Sequence, residues 1–354
     1  MKGPLLNLIK FLVSLGLGSG ILYLVFRKFN AAYQESCRMD GIPADQCSLL
    51  QKVWTDFSQA NFFWIGVVLL AFMISNYSRA RRWQMLLHPL GYKATLGNSF
   101  WTIVLGYFAN LGIPRMGEIV RATALSRYEN IPVEKVMGTI VLDRLVDFFS
   151  LATVIGLTFL LEFDRLWSFL KPYVAGEPGG GSGTSYLVLI FLILAAGGGM
   201  LFWRILRNNP QNVFFQKAAN VLKGFAEGLQ SIRKVQKPLL FVWHSVLIWV
   251  MYYLMTYLCF RAFEPTAALS PIAGLMVFVF GSLGIVVPSP GGMGTYHFLV
   301  PAALAIYGIN GNDGFSFANI MFFSVQLFGN IVFGIMALIA LPMLNRKPQS
   351  VPAA

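Results

Sequence analysis

The sequence predicts an all-α polytopic membrane protein with about six full transmembrane helices plus two re-entrant or broken helical segments, set in two inverted halves. Three observations predict it. Of 354 residues, 56% are hydrophobic and only 12% are charged, whereas an ordinary soluble domain carries about 25% charged residues. Several apolar runs approach or exceed the ~20 residues that cross a ~30 Å hydrocarbon layer as helix. The formal charge of +12 sits in short loops between those runs rather than on one face, which argues for topology and against a nucleic-acid surface. A single integral membrane domain over 1–354 follows, with approximate halves 1–185 and 186–345.

The first apolar run, 5–26, lacks a small-x-small cleavage site and ends at Arg27-Lys28, so it reads as an uncleaved span. The others cover 62–77, 96–111, 136–161, 186–205, 239–260, 269–287, 298–307 and 315–341. Two places are irregular. The third run stops at Gly112-Ile113-Pro114, and the seventh and eighth are separated by Pro288-Ser289-Pro290-Gly291-Gly292-Met293-Gly294. Proline removes a helix donor and the eighth run is too short to cross alone, so both regions read as re-entrant or broken helices.

Letting each irregular region enter and leave on one side fixes every loop. With the N-terminus inside, Arg79, Arg81, Arg82, Lys93, the basic stretch 204–237, Arg346 and Lys347 fall in the cytoplasm. Glu35, Asp40, Glu162 and Glu264 fall outside. Basic loops belong on the cytoplasmic side, so both termini are expected inside a bacterial-type inner (cytoplasmic) membrane. The outer loop then carries Cys37 and Cys47 in an oxidising compartment, which makes them candidates for a local disulfide. No cysteine or histidine spacing suits a metal, and no cofactor is expected. Residues 176–185 read as a flexible outer loop, and 208–237 as a basic amphipathic helix on an anionic inner leaflet.

The stretch 110–121 breaks the helix from the inner side and 288–297 from the other. Discontinuous helices at corresponding places in two halves point to a transporter's binding site, where freed backbone groups can hold a lipid phosphate; simple kinks in packed helices are the alternative. Arg115, Glu118 and Arg121 fall at i, i+3 and i+6, so Glu118 is expected to bridge the two arginines, one of which could grip phosphate in a fork. Snorkelling to headgroups is the rival reading for Arg121. Asp143, Arg144 and Asp147 lie inside the fourth apolar run. Charges at that depth form either a buried tie between helices or a cavity cluster that meets Arg115 or Arg121. Pro290, Gly291, Gly292, Gly294 and His297 mark the second break as the other part of a lipid path, while His88 and His244 read as interfacial or core histidines.

These residues carry a family likeness. Ser78-Arg79-Ala80-Arg81-Arg82-Trp83, the stretch 110–118 with Arg121, Val141-Leu142-Asp143-Arg144-Leu145 and the stretch 288–294 together resemble the flippase-like transmembrane domain of the lysylphosphatidylglycerol synthase family. The likeness is to its stand-alone form, without the soluble aminoacyltransferase domain. The resemblance implies two re-entrant elements and movement of lipid headgroups across the bilayer. Thr295-Tyr296-His297 stands where that family suggests an acidic residue, and lysyl transfer does not carry over. The expected activity is a flippase-like transporter of an anionic phospholipid or polyprenyl-phosphate-linked lipid, not an enzyme. The alternatives are an intramembrane enzyme on a lipid-linked phosphate and a non-catalytic assembly partner. Expected partners are lipids with anionic headgroups, and a homo-oligomer or a separate lipid-modifying enzyme.

Overall fold

The structure is a computed structural model that describes residues 2–43, 47–112, 116–174, 235–286 and 292–345. Among the described residues the secondary structure is helical, without strands. In chain order the helices are α1 (Lys2–Met39), α2 (Leu49–Gln59), α3 (Phe62–Leu87), α4 (Leu96–Gly112), α5 (Met116–Glu129) and α6 (Val133–Leu161). There follow α7 (Phe163–Val174), α8 (Pro238–Phe260), α9 (Pro271–Val286), α10 (Thr295–Ala305), α11 (Gly311–Met321) and α12 (Asn330–Leu344), with a π-helical stretch Phe322–Gly329 joining the last two. Two compact units emerge, residues 1–150 with 235–354, and residues 151–234. The described part of the second is the end of α6 and α7, where Trp167 stacks on Phe163.

The protein is an all-α membrane protein. Four stretches among the described residues are long and apolar enough to cross a bilayer: Phe62–Leu90, Val133–Leu161, Pro238–Phe260 and Gly311–Leu344. The predicted span 186–205, the loop 176–185 and the amphipathic stretch up to 234 lie outside the described residues. In α1 the helix runs past Arg27-Lys28, where the apolar run ends, to Met39. Arg and Lys are good helix formers, so a change in polarity ends an apolar segment without ending the helix. In its last turn Cys37 forms a disulfide with Cys47, their Cα atoms 6.3 Å apart.

Helices α3 and α8 run antiparallel, tied at one end by Asn61 N–H donating to the Ala262 carbonyl at 2.8 Å and toward the other by Arg82 donating to Ser245 Oγ at 3.4 Å. Asn61 also caps α3, its side chain accepting the Phe63 N–H. These two ends orient everything else.

Helices α4 and α5 form a hairpin whose mouth lies where α3 stops. Glu129, the last residue of α5, accepts from Thr95 N–H at 2.8 Å, Thr95 Oγ1 at 2.6 Å and Asn98 Nδ2 at 2.8 Å at the start of α4. Gln84 of α3 donates to the Ala94 carbonyl there, and Asn345 after α12 exchanges two hydrogen bonds with Asn98. At 1.5 Å per residue the arms reach only ~26 and ~21 Å, short of a full crossing. Their closeness depends on glycine: a Cβ on Gly117 would sit 2.1 Å from the Gly106 carbonyl oxygen.

Helices α9 and α10 form the second hairpin, with its turn closed by Thr295 Oγ1 donating to the Gly284 carbonyl at 2.6 Å. Gly292 and Gly294 there have φ of 81° and 88°, the left-handed region that favours glycine. This hairpin opens at the Asn61 end. Tyr253, near the end of α8, donates to the Pro271 carbonyl, and Asp313 at the start of α11 pairs at 2.8 Å with Lys52 of α2, just before Asn61. Burial lowers the pKa of Lys52, but Asp313 and Asp56 override it and hold the ammonium above its usual value. The two hairpins therefore open onto opposite ends of the α3–α8 pair.

Candidate charge cluster inside the bundle

On α3, Arg79 and Arg82 are three residues apart and share a face; on α6, Asp143 and Asp147 are four apart and do the same. The two faces meet. Arg79 Nη1 donates to Asp143 Oδ2 at 2.9 Å and to Asp147 Oδ2 at 2.7 Å. Arg82 donates through Nε to Asp143 Oδ1 at 2.9 Å and through Nη2 to Asp147 Oδ1 at 2.6 Å. Each arginine thus spans both carboxylates, and each carboxylate serves both arginines. Tyr252 of α8 accepts from Arg79 Nη2 at 3.1 Å.

The first hairpin adds a third arginine. Arg121 of α5 reaches Asp143 Oδ2 at 3.3 Å, the longest ion pair of the cluster, and its guanidinium lies 4.1 Å from the centre of the Trp83 ring. Trp83 is itself held by donating to Thr139 Oγ1 at 2.9 Å. Arg82 and Asp143 are fully buried and Arg79 and Arg121 nearly so. Counted back from Leu87, Arg82 and Arg79 lie ~8 and ~12 Å inside the helix. A charge near the bilayer centre costs about 2.5–3.5 kcal/mol, so such groups persist by pairing. Three arginines face two aspartates here, which leaves one surplus positive charge among the described residues. Arg121 Nε is buried without a hydrogen-bond partner among the described residues.

A second pair forms the rim. Arg144 Nε donates to Glu118 Oε1 at 2.9 Å, with the two side chains 44% and 35% exposed. This corrects the expectation that Glu118 bridges to Arg121: one helical turn after Glu118, Arg121 turns inward to Asp143, while Glu118 points to α6. From this rim, exposure falls through Asp147 to Asp143. The path from surface to buried charge is graded.

Of the residues singled out in the sequence, Glu118, Arg121, Asp143, Arg144 and Asp147 are brought together. Arg115, Pro290 and Gly291 lie outside the described residues. Gly292 and Gly294 sit in the turn of the second hairpin, where a Cβ would lie 2.8 Å from Ile285 Cα and 2.9 Å from Ile21 Cβ. His297 is buried on α10 against Phe322, ring centres 4.7 Å apart, and Phe315. Among the described residues no hydrogen bond or ion pair joins this turn or His297 to the arginine–aspartate cluster.

Arg79 and Arg82 were missed as site residues, because the drop in hydropathy after Tyr77 reads as the start of a cytoplasmic loop. The chain is instead helical to Leu87, with Arg79 and Arg82 turned inward and Arg81 outward. The available signal was a pairing of spacings, arginines at i, i+3 on one span and aspartates at i, i+4 on another.

Comparison with known proteins gives a consistent result. The family described as the lysylphosphatidylglycerol synthase TM region matches residues 48–334. A UPF0104 membrane protein of Methanocaldococcus jannaschii is 33% identical over 119 residues, 29% of this chain and 35% of the relative, so the match spans about a third of that protein. A second from the same organism is 24% identical over 232 residues, 64% of this chain and 93% of the relative. One from Methanothermobacter thermautotrophicus is 26% identical over 235 residues, 60% of this chain and 66% of the relative. No solved structure matches the chain.

Proposed function

The chain belongs to the family of the lysylphosphatidylglycerol synthase transmembrane region, and from that premise we propose that it moves an anionic phospholipid or polyprenyl-phosphate-linked lipid between leaflets. The observation that carries this reading is the surplus positive charge at Arg121. Its guanidinium lies over the Trp83 ring, is tied to Asp143 by a 3.3 Å contact, and keeps a buried Nε without a partner among the described residues. A phosphate can take an arginine's paired N–H groups in a two-pronged contact, and in doing so it would neutralise the cluster.

The position of Arg121 on the first hairpin supports the same reading. The hairpin is a short element docked by glycine contacts, and its other cluster residue, Glu118, forms the exposed rim with Arg144. A headgroup would approach over that rim and reach Arg121 as the hairpin shifts. The opposite openings of the two hairpins suit alternating access from two leaflets. On this reading the termini and the α3–α4 turn face the cytoplasm of an inner membrane, and the partners are anionic lipids, with a second copy or a separate lipid-modifying enzyme beside them.

Intramembrane enzyme chemistry is the weaker proposal. A general base needs a carboxylate free to take a proton, whereas Asp143 and Asp147 each accept from two or more guanidinium groups, which favours holding charge over transferring protons. The deciding experiment is headgroup movement in proteoliposomes across a panel of anionic, zwitterionic and polyprenyl-phosphate lipids. Absence of protein-dependent movement for every lipid would remove the transport reading.

A further inference from the structure

A separate cavity of about 570 Å³ lies between the end of α3 and the start of α8, within the 300–1,000 Å³ typical of small-ligand sites. Its polar side is basic. Arg81, His88, Lys237 and His244 line it, and among the described residues no aspartate or glutamate does. Arg81 is fixed in place, Nε donating to Tyr77 Oη at 3.1 Å and the guanidinium over the Tyr77 ring. Among the described residues no acceptor takes its two terminal nitrogens. His244 Nδ1 is likewise buried without a partner.

The start of α8 adds to this. Lys237 occupies its N-cap position without a side-chain cap and Pro238 follows as the first helical residue. Among the described residues no side chain caps the Leu239 and Leu240 amides at the positive end of this 23-residue helix, a favourable place for an anion. Met85 and Leu240 give the cavity an apolar wall. It stands back to back with the charge cluster, since Arg81 and His244 directly precede Arg82 and Ser245, which contact each other at 3.4 Å.

We infer that this cavity is a second anion site that binds a phosphate group through Arg81, Lys237 and the start of α8. The apolar wall suits a phosphate carried on a lipid, and free phosphate shares the recognition chemistry. The site goes beyond the transport reading and stands whether or not the buried cluster carries lipid.

The test is native mass spectrometry of the purified full chain in detergent with added phosphatidylglycerol, with phosphatidylcholine, or with inorganic phosphate alone. The wild type should retain phosphatidylglycerol in preference to phosphatidylcholine. Each charge-assisted hydrogen bond to phosphate contributes on the order of tenfold in affinity. Arg81→Gln with Lys237→Gln should therefore cut binding by about tenfold or more, and Arg261→Gln, at the far end of α8, should leave it unchanged. Arg81 is exposed, so its replacement leaves the fold intact; His244→Asn provides an independent second variant. Binding of inorganic phosphate that is lost in the same variants supports the site and identifies a free anion as its ligand. Binding of both phosphate forms that is undiminished in the double variant overturns the inference, as does a wild type that binds neither.

Discussion

Arg82 donates to the same carboxylate oxygen of Asp143 through both Nε and Nη2, across 61 residues of sequence, and both side chains are fully buried. Breaking a buried pair from one side leaves an uncompensated charge and costs about 3–5 kcal/mol, whereas replacing both partners by apolar groups is far milder. Arg82→Met and Asp143→Leu should each destabilise by that order, and the double variant by less than their sum. Thermal unfolding in detergent, arranged as a double-mutant cycle, measures the coupling. Strict additivity would show that the pair is not an energetic unit.

The first hairpin yields a packing prediction. A methyl group on Gly117 would meet the Gly106 carbonyl and Asn110 Oδ1, which accepts the Gly117 N–H at 2.8 Å. Gly117→Ala should destabilise by about 1–3 kcal/mol, the usual cost of overpacking. Gly138→Ala on α6 is the contrast, because a Cβ there meets nothing within 4 Å among the described residues, and alanine is the better helix former. Equal stability of the two variants would mean that the α4–α5 contact is looser than described.

How much of this was legible in the sequence depended on the kind of signal. The aspartates of α6 stood out because a charge inside an apolar run is costly wherever it packs. The hairpins were visible for a related reason: Pro114 ends one apolar run, and the Pro-Gly stretch after residue 287 precedes a run too short to cross alone. Arg79 and Arg82 sit beyond the apolar run of α3, where composition looks like a loop, and only the partner helix reveals them as buried. The pairing of Glu118 with Arg144 rather than Arg121 was unreadable, since it depends on how α5 rotates against α6, which local spacing does not determine.

The third prediction is topological. If the basic loops face the cytoplasm, the α3–α4 turn and the region beyond α1 lie on opposite sides of the membrane. In a background carrying Cys37→Ser and Cys47→Ser, Lys93→Cys should resist a membrane-impermeant thiol reagent in intact cells and react after lysis. Asp40→Cys should react without lysis. The reverse pattern would invert the proposed orientation.

The last prediction concerns Arg121, the cation that the two aspartates do not fully satisfy. If its role is to hold a phosphate, charge and geometry should separate in the variants. Arg121→Ala removes both the surplus charge and the contact with Trp83, so headgroup movement in proteoliposomes should fall to near background. Arg121→Lys keeps a positive charge but loses the planar fork that lies over the indole, and should leave a reduced rate. Stability should move in a different order. Arg121→Ala leaves Arg79 and Arg82 balanced against Asp143 and Asp147, two charges against two, so the folded state should lose less than in Arg82→Met, where the bidentate tie is broken. The transport reading therefore predicts that Arg121→Ala is severe in activity and mild in unfolding temperature, and that a structural role would give the opposite weighting. Arg261→Ala, an exposed residue at the end of α8, serves as the control for general charge loss. Measured at matched protein levels in anionic-lipid vesicles, wild-type movement in a folded Arg121→Ala variant would leave the cluster as a structural tie and remove the site on which the proposed function rests.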